Sequence, residues 1–267
     1  MNSYTPFKAF FKGVSLELED LYLLESFQIN MLPGVADREL AVVLHAYPSI
    51  KRFLITKCPA AAESINNIIK KHGPAKSDKQ LAKTVDKLVW SIADWLVYSK
   101  CPEAYDKLDF HHWDFREVTV ITPVDGKVII DGGAGTGRVT LEAARTAGRV
   151  YAIEPVTRLR QFIRDKAREA DLRNIFVTDG FLHAIPLPGN TADVLITSHA
   201  LGWHLEKELK EFERVVKRGG YIIHCPGTAE VPGEEAQHYR LISPDWRYNF
   251  SRYEESDGWK RKYWKRL

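Results

Sequence analysis

Cysteine is scarce in this chain: Cys58, Cys101 and Cys225 are the three among 267 residues. Their wide scatter suits neither a disulfide framework nor a zinc site, so a reducing, cytoplasmic compartment is expected. Long apolar runs are missing too. None reaches the length that spans a bilayer, and Lys8 and Lys12 interrupt the aromatic start where a secretion signal would need a continuous apolar core. Repeats and low-complexity tracts are absent, and so is a strong charge of either sign. A net charge of +3 is too small to imply a nucleic-acid partner by itself.

What is present suffices for a sizeable core: 45% of the residues are hydrophobic, and the length allows a catalytic domain plus a smaller one. Residues 1–108 show helical spacing over 16–31, 37–45, 60–71 and 79–98, the last with Leu81, Val85, Leu88, Val89, Ile92 and Leu96. Pro33-Gly34, Pro48, Pro59 and Gly73-Pro74 read as breakers between these stretches. An all-helical domain over 1–108 is expected, followed by a different architecture over 109–267.

That second part is organised around residues 128–137, Val-Ile-Ile-Asp-Gly-Gly-Ala-Gly-Thr-Gly. A short apolar run reaches an acid and passes straight into a glycine-rich turn, and residues 138–147 then offer Val139, Leu141, Ala143, Ala144 and Ala147 as one apolar helix face. Strand, tight loop and helix without a spacer form the opening unit of a nucleotide-binding α/β sheet. The dinucleotide fingerprint wants a third glycine where Arg138 stands, and the phosphate loop of nucleotide hydrolases wants Gly-Lys-Ser/Thr where Gly137-Arg138-Val139 stands. Both readings fail in register.

Further strands are expected at 149–153, ending at Glu154; at 174–178, ending in Asp179-Gly180-Phe181; at 192–197, ending at Ser198; and at 221–225 after the helix 205–217 and Arg218-Gly219-Gly220. A helix over 157–170 carries Leu159, Phe162, Ile163 and Ala167 on its apolar side and a solvated face of Arg and Lys. Two aromatic-rich runs, 246–253 and 259–264, read as an antiparallel hairpin. In a doubly wound sheet ligands lie beyond the carboxyl ends of the strands, and here those ends carry Asp131, Glu154, Asp179 and Ser198.

Apolar strand, acid and Gly-x-Gly-x-Gly, with the acids and paired glycines that follow, resembles the class I S-adenosylmethionine-dependent methyltransferases over residues 128–226. The resemblance implies a doubly wound seven-stranded α/β sheet with its last strand antiparallel, and S-adenosylmethionine as cofactor. Gly133, Ala134, Gly135, Thr136 and Gly137 would approach the methionine part, Glu154 the ribose, and Asp179 with Phe181 the adenine, with Asp131, Gly132, Pro155 and Gly180 also at the cofactor. Ser198 and His199 would complete the cofactor crevice. The reaction it implies is in-line displacement at an already activated methyl group, which needs proximity and alignment rather than a protein nucleophile. His199 and His204 are candidates for taking a proton from the acceptor, against the alternative of hydrogen-bonded loop histidines. His111-His112-Trp113-Asp114 reads either as part of a lid or as a packed linker.

The acceptor is expected to be a small molecule selected by the helical domain. Ser198-His199-Ala200-Leu201 stands where base and glutamine methylating relatives carry Asn or Asp before Pro-Pro-Tyr, which disfavours nucleic acid. Lys260, Arg261, Lys262, Lys265 and Arg266 interleaved with Trp259, Tyr263 and Trp264 leave two alternatives. One is an RNA or protein methyltransferase using this basic tail; the other is an exposed edge strand protected by charge. A non-catalytic cofactor-binding regulatory module is the third reading. No membrane partner is expected, and the oligomeric state is not legible.

Overall fold

The computed structural model describes residues 10–108, 113–225, 235–255 and 258–267. The chain divides into two compact units, Met1–Leu108 and Asp109–Leu267. Among the described residues no helix is long and apolar enough to cross a membrane.

The first unit is helical. A 3-10 turn over Leu18–Leu23 leads into α1 (Ser26–Met31), α2 (Asp37–Ala46), α3 (Pro48–Lys57), α4 (Ala62–Lys71), α5 (Asp78–Ser91), α6 (Ala93–Lys100) and α7 (Pro102–Asp106). Two departures from the periodic reading have local causes. Pro48 opens α3 instead of ending a segment, because proline at the first helical position gives up an N–H that has no partner there anyway. The stretch 79–98 is two helices, since Ile92 leaves helical geometry at φ −124° and ψ 28° while staying buried. Likewise 16–31 is not one helix: Glu17 with Asp20, and Glu25 with Gln28, each make a reciprocal cap that starts a new turn. Leu21, Leu24, Ile29, Leu40, Leu54, Ile65 and Leu96 lie at the centre of this unit's own core.

The second unit starts with α8 (Arg116–Thr119) and continues β1 (Val128–Gly132), α9 (Arg138–Ala144), β2 (Arg149–Ile153), α10 (Thr157–Glu169), β3 (Ile175–Thr178), β4 (Ala192–Thr197), α11 (Leu205–Val215), β5 (Val216–His224), α12 (Glu235–Ile242), β6 (Asn249–Glu255) and β7 (Gly258–Arg266). The strands form one seven-stranded sheet in the order β3-β2-β1-β4-β5-β7-β6. Strands β1 to β5 pair in parallel, and β7 runs antiparallel to both its neighbours. Ile129, Val194, Ile196 and Ile223 face Val139 and Ala143 on one side, while Ile130, Leu195 and Ile222 face Leu209 and Phe212 on the other. Period-two alternation with both faces covered explains why the central strands read as almost continuous apolar runs.

Strand order reverses between β1 and β4, so the crevice of this sheet opens where those two carboxyl ends part. At β5 the strand begins earlier than the glycine pair suggests. Val216 already bridges Ala192, and the register then slips before Val194 meets Tyr221. The tail corrects a second expectation. β7 is an interior strand between β5 and β6, so its lysines do not guard an exposed edge.

Candidate functional site

The loop 133–137 is shaped by three left-handed glycines, with φ of +68° at Gly133, +54° at Gly135 and +85° at Gly137. They are not interchangeable. A Cβ on Gly133 would stand 2.4 Å from the Ala200 Cβ, and one on Gly137 would stand 2.9 Å from the Ile163 Cγ1. These two glycines admit neighbouring protein. Gly135 would meet only a carbonyl of its own loop at 4.0 Å, so its open side is the one left for a ligand. Ala134 and Thr136 alternate with them and turn inward, 8% and 1% exposed. The amides of Gly133 and Ala134 both donate to the Ile153 carbonyl, at 2.9 and 3.0 Å, which ties the loop to the end of β2.

Two buried acids hold this loop. Asp131 accepts from the Thr140 hydroxyl at 2.5 Å, joining the end of β1 to the first turn of α9, and burial pushes its pKa up to about 6. Glu154 accepts from the Gly135 amide at 2.8 Å through Oε2 and from the Val156 amide at 2.9 Å through Oε1. Burial raises it to about 7 against the opposing pull of those two amides. A carboxylate has about four lone-pair sites, so two remain for hydroxyl donors from a bound ligand.

A family profile described as a methyltransferase domain matches residues 130–224, the span from this loop to the end of β5. That match and the seven-stranded topology support the class I S-adenosylmethionine-dependent methyltransferase family for the sheet unit. Its cofactor is S-adenosylmethionine. A methyltransferase of Aquifex aeolicus shares the fold, with a TM-score of 0.50, 21% identity, and coverage of 61% of this chain and 96% of that one. An uncharacterised methyltransferase of Anoxybacillus flavithermus is 24% identical over 48% of this chain and 64% of its own length. The demethylmenaquinone methyltransferase of Geobacillus sp. strain WCH70 is 28% identical over 61% of this chain and 76% of its own length. The Anoxybacillus protein and a second Geobacillus methyltransferase are spanned over 64% and 60% of their lengths, under two thirds.

Within this methyltransferase unit the remaining strand ends converge as the topology requires. Arg160 is the residue that sequence reasoning missed there, because it lay on a helix face read as solvated. Its Nη1 donates to the carbonyls of Glu154 and Pro155 at 2.8 and 2.7 Å and reaches Asp179 Oδ1 at 3.1 Å, with its side chain only 12% exposed. Ends of β2 and β3 are thus clamped by one guanidinium. The Asp179 side chain stays 68% exposed, open to a further donor. Gly180 lets Pro186 and Ile153 close in, since a Cβ would meet them at 2.6 and 2.9 Å. Phe181 stacks on His183, centroids 5.4 Å apart, and His183 stands edge-on to His204 at 4.7 Å.

The turn after β4 is fixed from two sides. Ser198 is half-buried, and His199 takes a left-handed φ of +53°. Glu208, 1% exposed, accepts from the amides of Gly202 and His204 at 2.8 Å each, and Gln237 of α12 donates to the Leu201 carbonyl at 3.1 Å. Nothing in the sequence marks Glu208 beyond its place in the helix. His224, opposite Thr197 at the ends of β5 and β4, is held near pKa 3 by burial and is neutral. Of the stretch 111–114, His111 and His112 lie outside the described residues. Trp113 is buried, its carbonyl taking the Arg138 guanidinium, which also lies 5.6 Å over the indole ring. Asp114 pairs with Arg116 at 2.7 Å, a contact that lowers its pKa.

Much of the basic tail is tied within the unit. Lys260 and Lys262 are each 7% exposed, Lys262 pairs with Glu117 at 2.6 Å, Lys265 pairs with Glu213, and Arg266 donates to the Gly219 carbonyl at 3.2 Å. Tyr263 is fully buried.

Proposed function

We propose that the protein transfers a methyl group from S-adenosylmethionine to a small-molecule acceptor. The observation carrying the small-molecule reading is the fate of the tail: an interior strand whose lysines are paired inside the unit offers no track for a polyanion. The name of its demethylmenaquinone methyltransferase relatives supports the same class. Residues 133–137 would hold the methionine part, with Gly135 as the point of backbone approach. Glu154 would hold the ribose, and Asp179, Gly180 and Phe181 the adenine, with Ser198 and His199 closing the crevice. The cofactor supplies the activated methyl group, and the chain aligns the acceptor and keeps water out. His199 and His204 are our candidates for receiving the acceptor's proton, His204 with His183 against its ring. We assign acceptor selection to the helical unit 1–108, and Cys58, Cys101 and Cys225, none of them in a disulfide, favour the cytoplasm.

Calorimetry with S-adenosylmethionine, its demethylated product and NAD tests the cofactor assignment, followed by turnover on acceptor panels. Binding of the first two, none of NAD, and transfer to a small acceptor are expected. Salt-dependent RNA binding with transfer to RNA would refute the small-molecule reading, and cofactor binding without any transfer would favour a regulatory module.

A further inference from the structure

Positive charge is also gathered in a second stretch, away from the tail. Residues 145–173 hold eight basic side chains against four acidic ones, a surplus larger than the +3 of the whole protein. At the end of that stretch lies a groove of about 360 Å³ between the second half of α10, the turn after it and β3. Its floor is apolar, made by Ala167, Leu172, Ile175 and Val177, and Arg164, Arg168 and Arg173 stand around it with Asp171. None of these residues belongs to the glycine loop or to the acids at the strand ends.

β3 is the edge strand of the sheet on this side. Since the Thr178 carbonyl accepts from the Glu154 amide just past β2, the Val177 carbonyl points the other way, outward, and Arg164 Nη2 donates to it at 2.9 Å. Arg164 therefore covers the acceptor that an added strand would need, which leaves the groove to a compact ligand. Edge protection accounts for Arg164 but not for Arg168 and Arg173. Each of those touches one carboxylate oxygen, of Asp165 at 3.1 Å and of Asp171 at 3.0 Å, and keeps further guanidinium donors for an anion.

We propose that this groove is a second binding site, for a phosphate group carried on an apolar body. Guanidinium forks take the phosphate oxygens, and the Leu172, Ile175 and Val177 floor takes the apolar part. Neither half suffices alone: the rim is exposed and screened by salt, and the floor is too small to bind an apolar group tightly.

The test uses the full chain with 1-naphthyl phosphate, 1-naphthol, inorganic phosphate, and phosphatidylcholine vesicles with or without phosphatidic acid. Naphthyl phosphate should bind at least tenfold tighter than naphthol or inorganic phosphate. R168E/R173E, with R168Q/R173Q as the milder pair, should lose at least tenfold of that affinity while binding S-adenosylmethionine unchanged. Arginine-dependent sedimentation with phosphatidic acid vesicles would make a lipid headgroup the source, and naphthyl phosphate binding without sedimentation would make it a soluble ester. Absence of naphthyl phosphate binding, or equal affinity in both arginine pairs and wild type, overturns the site.

Discussion

Glu154→Gln separates what this carboxyl does for folding from what it does for the cofactor. The folded protein holds the Glu154 proton up to about pH 7, against an ordinary value of 4.5. Between those values the native state binds more protons than the unfolded chain, so stability from this group is present below pH 4.5 and is lost as pH rises through 7. At 1.36 kcal/mol per pH unit the loss amounts to about 3 kcal/mol. Gln removes that dependence but turns an amide NH2 toward either the Gly135 or the Val156 amide, leaving one donor facing a donor, at a cost of about 1 to 3 kcal/mol. The variant should thus be less stable than wild type at pH 5 and equal or more stable at pH 8. His224 titrates in an overlapping range but is present in each protein and cancels, whereas Asp131 also raises Glu154 through its charge, so the difference curve reads Glu154 together with that coupling. Cofactor affinity should move the other way, weakening about tenfold to a hundredfold at pH 8, the range for a hydrogen bond to a charged group. Denaturation at pH 5 to 8.5 and calorimetry with S-adenosylhomocysteine read the two effects. Parallel stability curves would refute the burial argument, and an unchanged dissociation constant would remove Glu154 from the site.

Gly133→Ala forces a methyl group onto Ala200 and should cost about 1 to 3 kcal/mol of stability together with cofactor binding. Gly135→Ala meets open space and should cost only about 1 kcal/mol of backbone strain while still abolishing cofactor binding; equal destabilisation by both would contradict the division between them. Glu117→Gln leaves Lys262 buried without its carboxylate and should destabilise the sheet unit by about 2 to 4 kcal/mol in denaturant unfolding, with no shift meaning that the pair is idle. A fragment starting at Asp109 should keep cofactor affinity and lose transfer to the natural acceptor, whereas unchanged transfer would exclude the helical unit from acceptor selection.

The five parallel strands were legible along the chain because short apolar runs alternate with turn signals and helical stretches, and three of those runs lead into Asp131, Glu154 and Asp179. Helix boundaries in the first unit were less so. Pro48 carries the same symbol whether it ends a helix or begins one, and only the following run through Leu54 decides. The break at Ile92 leaves no mark, because an isoleucine in either geometry fills the same apolar position. The hairpin at the end was visible as two aromatic runs, but its order was not: antiparallel strands of similar composition do not tell which one inserts next to β5.

That last ambiguity decides how charge is read. Lysines on a terminal strand look like edge protection or a polyanion track for as long as the strand is taken to be last in space as well as in sequence. Insertion between β5 and β6 turns Lys262 toward Glu117 and Lys265 toward Glu213, so the same side chains become internal ties. The converse holds for Arg160, which sequence spacing sends to solvent and which instead gathers Glu154, Pro155 and Asp179. A long basic side chain reaches whichever acceptor the fold brings within its span, several residues of helix away. Sequence therefore located the acids of the crevice, whose short side chains stay where their strands end, better than the cations that hold those strand ends together.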